Sequence, residues 1–123
     1  MDSSLRETYN NELDKLDFLG GITGTAIVNR NGLTLISRLP RDVEERKFGA
    51  LAATMYGAME NVAIALRTEI IHLTVEFDEN QIIIMALNND HLIVTLIESN
   101  FDLGLFLIEI EEIIKNSKKG VVA

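Results

Sequence analysis

Two apolar runs in the second half of the chain constrain its fold most strongly. Residues 82–87 read Ile-Ile-Ile-Met-Ala-Leu, and residues 92–97 read Leu-Ile-Val-Thr-Leu-Ile. A strand that covers a core on one side only alternates between apolar and polar residues, whereas both runs are apolar at nearly every position. We therefore predict that they are central strands of a sheet with helices on both faces, which requires three layers.

Turn-forming residues separate these runs from their neighbours. Asp78-Glu79-Asn80 and Asn88-Asn89-Asp90 interrupt three apolar segments and predict an antiparallel meander. Further upstream, Asn31-Gly32 is the dipeptide favoured in a type I′ hairpin turn, in which both central residues have positive φ. The predicted strands are 22–29, 33–39, 69–77, 81–87 and 91–97.

Three segments have helical periodicity, namely Leu5–Asp17, Asp42–Arg67 and Phe101–Lys118. Pro40 bars continuation of the preceding strand, and Asp42 is predicted to cap the long second helix. The order helix, two strands, helix, three strands, helix predicts an α+β three-layer sandwich. Its five-stranded antiparallel sheet has the second helix on one face and the first and last helices on the other. We expect one domain over residues 1–119 and a frayed tail at 120–123.

The second helix is unusual because both of its sides are apolar. The predicted core-facing stripe contains Phe48, Leu51, Ala52, Met55, Met59, Val62 and Leu66. The opposite side, which should meet water, contains Ala50, Ala53, Gly57 and Ile64, with Glu60 and Asn61 nearby. Gly49, Ala53 and Gly57 recur every four residues, and glycine weakens a helix, so their spacing favours close approach of another backbone.

Size and charge limit what could cover that second side. A chain of 123 residues forms one core and has little material to enclose a helix completely, so we expect a partner protein. The net charge of −8 disfavours nucleic acid or an anionic membrane surface as the partner. The segment nearest to a membrane span, residues 48–66, is apolar mostly through Ala and Gly and contains Glu60 and Asn61, so insertion into a membrane is not expected. The absence of cysteine excludes disulfides and fits a cytoplasmic protein.

Residues that could perform catalysis are scarce. His72 and His91 have no third ligand at metal spacing, so both are interpreted as structural. The Gly20–Gly24 segment has no following Gly-Lys-Ser/Thr and precedes a strand, unlike a phosphate-binding loop. Glutamates at 109, 111 and 112 are typical of a solvated helix face. We therefore predict a protein that is not an enzyme and uses no cofactor or metal.

The segment Gly21-Ile-Thr-Gly-Thr-Ala-Ile-Val-Asn-Arg-Asn-Gly-Leu33 resembles the entry, first strand and hairpin of the Roadblock/LC7 family. The Ala- and Gly-rich second helix and the Asn100–Gly104 helix start are similar to that family too. It has a profilin-like sandwich and includes dynein light chains and MglB-type regulators of Ras-like small GTPases. The resemblance implies a homodimer, with second helices side by side and third strands joined into a ten-stranded sheet. It also implies that the dimer holds or regulates a small GTPase, or bridges complexes.

These expectations assign two sets of residues. Contact with the dimer mate is expected at Thr54, Ala58, Ala65, Ile70, His72 and Thr74, or alternatively at the flank containing Gly49 and Tyr56. The GTPase is expected at Ala50, Ala53, Gly57, Asn61 and Ile64, with Arg46, Lys47 and Glu60 as a charged rim. A structural scaffold or dynein-type light chain with no effect on nucleotide state is the alternative function. A small-ligand sensor is disfavoured, because the strands provide almost only aliphatic side chains.

Overall fold

The computed structural model describes residues 3–122, with side chains from 3 to 116. The elements are α1 (Ser3–Asp17), β1 (Ile22–Asn29), β2 (Thr34–Arg38), α2 (Glu45–Ala65), β3 (Leu73–Glu76), β4 (Asn80–Ala86), β5 (His91–Glu98) and α3 (Leu103–Val122). The predicted element order is confirmed. The prediction of a frayed tail at residues 120–123 is not tested. The side chains of these residues are outside the described part of the chain, and so is the backbone of Ala123.

The five strands form one antiparallel sheet in the order β2-β1-β5-β4-β3. The two apolar runs are the cores of β4 and β5, and both lie inside the sheet, as their composition predicts. Strand β3 is an edge strand that pairs only with β4, from Leu73 opposite Ile84 to Glu76 opposite Gln81. One side of β3 is therefore open.

Helices cover both faces of the sheet, which confirms the three layers. On one face, α1 and α3 pack on the sheet through Tyr9, Leu13, Leu16, Phe106, Ile110 and Ile113. On the other face, α2 packs on Ala26, Val28, Ile82, Ile84, Leu92 and Val94. Alternate residues of β4 thus enter opposite cores, since Ile83 belongs to the first and Ile84 to the second.

The β1–β2 hairpin forms, but its turn is not the predicted type I′. Gly32 has a positive φ of 92°, whereas Asn31 is not among the positive-φ residues of the described chain. The Gly32 N–H donates to the Asn29 carbonyl at 3.0 Å, and Asn29 Oδ1 accepts the N–H groups of Asn31 and Leu33. The side chain of Asn29 therefore organises a wider turn, and the strand register shifts between Ile27 and Val28.

The ends of α2 also differ from prediction. The helix begins at Glu45, and its N-cap is Glu44 without a capping side-chain hydrogen bond, so the prediction of an Asp42 cap is wrong. A turn closed by the Val43 N–H and the Pro40 carbonyl occupies that position. At the other end, Arg67 has a left-handed φ of 57°, and its N–H donates to the Ile64 carbonyl, which terminates the helix.

Candidate interaction surface on the second helix and third strand

Helix α2 presents a different side to the sheet from the one predicted. Its buried residues are Gly49, Ala52, Ala53 and Tyr56. The predicted core stripe is only half-buried at Phe48, and the larger apolar side chains at 51, 55, 59, 62 and 66 are exposed. The helix is therefore rotated by about a quarter turn from the predicted orientation. Small residues cause this rotation, because they let the helix backbone approach the sheet closely.

Gly49 makes the closest approach. A Cβ at this position would collide with Oγ1 of Thr34 on β2. The prediction of close backbone packing is thus right for Gly49, but the neighbour is a strand of the same chain. Gly57, by contrast, has nothing within 4 Å of the position its Cβ would take. Ala53 was expected to point outward and is instead 9% exposed, within the core.

The rotation leaves an apolar flank uncovered, defined here as Leu51, Met55, Met59, Val62 and Leu66. Leu51 is 56% exposed, although its position in the helical pattern is typical of a core residue. The first turns of this flank open onto an apolar cleft of about 280 Å³, lined by Phe48, Leu51, Ala52, Met55, Phe77 and Ile82. Because Phe77 follows β3 and Ile82 is on β4, the apolar flank faces the open edge of the sheet.

Backbone groups on β3 point towards that open edge. The Phe77 N–H donates to the Asn80 carbonyl at 2.7 Å, which assigns Phe77, Val75 and Leu73 to the positions bonded to β4. Hydrogen-bonding direction alternates along an antiparallel strand, so the N–H and C=O groups of Thr74 and Glu76 point away from β4. Leu73 and Val75 lie on the α2 side of the sheet, since their β4 partners Ile84 and Ile82 do. Apolar side chains and unpaired backbone groups therefore adjoin each other.

The residues expected at a dimer contact lie in this region, with one qualification about Ile70. Thr54, Ala58 and Ala65 are exposed beside the apolar flank, and Thr74 is exposed on β3. His72 Nδ1 lies 3.0 Å from Thr74 Oγ1, so these two side chains are adjacent. Ile70 precedes β3, which begins at Leu73, and its side chain is half-buried in the α2-side core. The alternative flank is wrong, since Gly49 and Tyr56 are buried against the sheet.

The residues expected at a GTPase contact are only partly brought together. Five of them are exposed on α2, namely Arg46, Lys47, Ala50, Asn61 and Ile64. Gly57 is half-buried and Ala53 is in the core. Glu60 is directed towards the β1–β2 turn, where its Oε1 accepts a hydrogen bond from Arg30 Nη1 at 2.7 Å. The exposed part of the predicted GTPase-binding surface is therefore smaller than the sequence predicted.

Sequence reasoning missed Arg30. Its guanidinium lies 5.4 Å from the centre of the Tyr56 ring and pairs with Glu60, beside a cleft of about 350 Å³. Burial, and then the Glu60 carboxylate, raise the pKa of Tyr56, which keeps its phenol neutral. No local pattern could reveal this group, because it joins a turn to a helix through residues distant in sequence. It anchors the β1–β2 turn to α2.

The histidines have structural positions. His91 Nδ1 lies 2.7 Å from the Tyr9 hydroxyl, which also accepts a hydrogen bond from Asn88 Nδ2 at 2.8 Å. Burial lowers the pKa of His91, so its imidazole is neutral at pH 7. Among residues 3–116, no group of three His, Asp or Glu side chains could hold a metal ion. Over the same part of the chain, no helix has the length and apolarity needed to cross a bilayer.

A chain with two helices on one face of a five-stranded antiparallel sheet, one on the other and an exposed edge strand has the architecture predicted from the resemblance. The Roadblock/LC7 domain model matches residues 8–97, and the chain belongs to that family.

Similar proteins agree with this assignment. MJ0310 of Methanocaldococcus jannaschii is 30% identical over 97 residues, covering 79% of this chain and 82% of that protein. MglB of Myxococcus xanthus has a TM-score of 0.84 at 17% identity, covering 94% of this chain and 96% of MglB. A structure of MglB with a tetrameric arrangement has a TM-score of 0.86 at 13% identity, covering 97% and 91%. These structural likenesses show a shared fold.

Proposed function

We propose that this chain is a non-catalytic, homodimeric regulator or binding platform for a Ras-like small GTPase. The observation that supports it best is the apolar flank of α2 beside the open edge of β3. The family resemblance implies a dimer in which the two second helices lie side by side. In such a dimer, α2 of the second copy would cover the exposed side chains of the apolar flank. The apolar flank has the composition of a protein core, as expected if it is buried between the two copies of the proposed dimer.

Burial of exposed apolar side chains would stabilise this dimer. Leu51, Ile71 and Phe77 are each more than half exposed in the single chain. Full burial of such a side chain contributes about 1.5 to 3 kcal/mol, so covering the exposed halves contributes about 1 kcal/mol each, and each contact occurs twice in a symmetric dimer. The total of about 6 kcal/mol lies within the range of about 4 to 15 kcal/mol that association costs, and burial of the exposed Met55, Met59, Val62 and Leu66 would add to it.

The GTPase would bind the part of α2 that the mate leaves free. That surface contains Lys47, Ala50, Asn61 and Ile64, all exposed and, apart from Lys47, uncharged. A protein with apolar switch residues could rest on it, with Arg46 and Lys47 contributing electrostatic steering. Ala53 is excluded from direct contact by its burial, whereas the Glu60 side chain is 39% exposed and would lie at the rim together with its partner Arg30.

Regulation would act through the GTPase's own groups. Arg30 is held by Glu60 and the Tyr56 ring, and Arg46 has no ion pair among the described residues, so neither is oriented as an arginine finger. Any stimulation of hydrolysis would then come from ordering the switch segments of the GTPase. A protein that binds without changing hydrolysis or nucleotide exchange would be a scaffold.

The test is binding to Ras-like GTPases loaded with GDP or a non-hydrolysable GTP analogue. Asn61→Trp places a bulky ring on the proposed surface and should reduce binding at least tenfold while leaving the dimer mass unchanged. The matched control is Glu111→Trp, an exposed position on α3, which should bind like the unmodified protein. Unreduced binding by Asn61→Trp would overturn the proposed α2 site, and loss of binding only in Glu111→Trp would place the GTPase on the α1–α3 layer.

A further inference from the structure

We infer that a cleft at the carboxyl end of α2 receives a lysine or arginine side chain of the partner GTPase. This cleft, named the polar cleft below, has a volume of about 350 Å³ and is the one beside Arg30. It lies between the last turns of α2, residues 68–70 and the end of β4. The inference rests on the proposed function for the identity of the partner, and it adds the chemistry of one contact.

The polar cleft lies on a part of α2 that the proposed dimer leaves free. Glu60 and Ile64 line it, and the helical wheel places both on the other side of α2 from the apolar flank. Ile64 is 72% exposed and also belongs to the proposed GTPase-binding surface. The polar cleft is therefore continuous with that surface.

Charge determines the sign of the group that fits. The lining contains two carboxylates, Glu60 and Glu69, and one guanidinium, that of Arg30. Arg30 already pairs with Glu60 at 2.7 Å, whereas Glu69 has no ion pair among the described residues. The last turn of α2 contains no basic residue, so the negative end of the helix dipole adds to the carboxylates. Arg67 is not part of the lining, and a cation is therefore favoured over an anion.

The walls favour a long side chain over a small ion. Aliphatic groups form part of the lining, namely those of Ala63, Ile64, Ile70 and Ala86. Lysine and arginine bury an apolar stem along such a surface and keep the charged head near water. Glu69 is exposed and the Glu60 side chain is 39% exposed, so both carboxylates can accept hydrogen bonds from that head. Within the described chain, no group of three His, Asp or Glu side chains could hold a metal ion instead.

The polar cleft also gives α2 two oppositely charged ends. Arg46 and Lys47 are exposed near the amino end of the helix, about 20 Å along its axis from Glu60. A partner with an acidic group facing these two residues and a basic group facing the polar cleft binds in one direction only. Reversal would oppose like charges at both ends.

Glu69→Gln tests the contact in the GTPase-binding assay. This variant should bind about three- to tenfold more weakly, and its binding should depend less on salt concentration. The matched control is Glu111→Gln, which removes the same charge from an exposed position on α3, in the opposite layer. It should bind like the unmodified protein. Equal binding by the two variants would overturn the inference while the proposed function stands.

A titration without GTPase separates the inference from the proposed function. Nα-acetyl-arginine amide, added at millimolar concentrations to isotope-labelled protein, should shift the amide resonances of Thr68, Glu69 and Asn89 with saturation. The uncharged Nα-acetyl-citrulline amide should bind at least about threefold more weakly, and Glu69→Gln should reduce the preference for arginine. Unshifted resonances, or equal binding of both compounds, would overturn the cation site. Selective arginine binding by a protein that binds no Ras-like GTPase would support the cation site and overturn the partner assigned to it.

Discussion

Gly49 provides a sharp test of why α2 lies close to the sheet. Replacing a helix-interior glycine by alanine, taken alone, stabilises a protein by about 0.5 to 1 kcal/mol. Here the new Cβ would displace Oγ1 of Thr34, which donates to the Glu45 carbonyl at 3.0 Å. Losing that hydrogen bond costs about 0.5 to 1.5 kcal/mol. The two effects oppose each other, so Gly49→Ala should change the free energy of unfolding by between about +0.5 and −1 kcal/mol.

The same substitution should behave differently once Thr34 is alanine. The remaining neighbours of the new Cβ, Gly32 O and the Cβ of residue 34, are both 3.5 Å away, an ordinary contact. Gly49→Ala should then stabilise the protein by about 0.5 to 1 kcal/mol. Gly57→Ala is the matched control, because its Cβ would meet open space and should stabilise both backgrounds equally.

The measurement is urea denaturation of the four variants of the cycle and the control, at one protein concentration, since association would contribute to apparent stability. We predict a coupling free energy of about 0.5 to 1.5 kcal/mol between residues 34 and 49. An equal effect of Gly49→Ala in both backgrounds would refute the reasoning, because it would mean that the Thr34 side chain does not limit the approach of the helix.

Three further predictions concern other parts of the molecule. Arg67→Gly should raise the free energy of unfolding by about 1 kcal/mol, since glycine adopts the left-handed φ without strain, and an unchanged or lower urea midpoint would contradict this. Burial holds the pKa of His91 below its ordinary 6.5, so the unfolded chain binds a proton that the folded chain does not, and stability should fall as the pH drops below about 6.5. His91→Gln should reduce this pH dependence of the free energy of unfolding, whereas an identical pH dependence in the variant would contradict the assignment to His91. Glu60→Gln should lower the pKa of Tyr56 in an ultraviolet titration, with Tyr56→Phe identifying its signal, and a raised pKa would be inconsistent with the Glu60 contribution.

The central sheet could be predicted because its signal is local. Residues 82–87 and 92–97 are covered on both faces of the sheet, and strands buried in this way are apolar at nearly every position, so their composition alone predicts them. Turn residues such as Asp78 and Asn88 then divided the meander correctly. The hairpin after β1 was also predicted, but its turn type was not, because the Asn29 side chain rather than the Asn31-Gly32 dipeptide determines the geometry.

The orientation of α2 could not be predicted, because an apolar stripe does not specify what covers it. Leu51, Met55 and Met59 have the spacing of a core, yet the chain's own sheet packs on the small residues Gly49 and Ala52 instead. Helical periodicity identifies side chains that favour burial, but it does not distinguish burial within the chain from burial against a partner. The Arg30–Glu60 pair was missed for a different reason, since it depends on a contact between distant segments.

The most direct test of the central claim is the mass in solution, measured by light scattering over a micromolar concentration series. We predict twice the mass of one chain for the unmodified protein, and the mass of one chain for Met59→Glu, which would place two carboxylates in the apolar interface. Ile108→Glu, a matched change at an exposed apolar residue of α3 on the opposite layer, should remain a dimer. A monomeric unmodified protein, or a dimer that survives Met59→Glu and is lost in Ile108→Glu, would contradict the account.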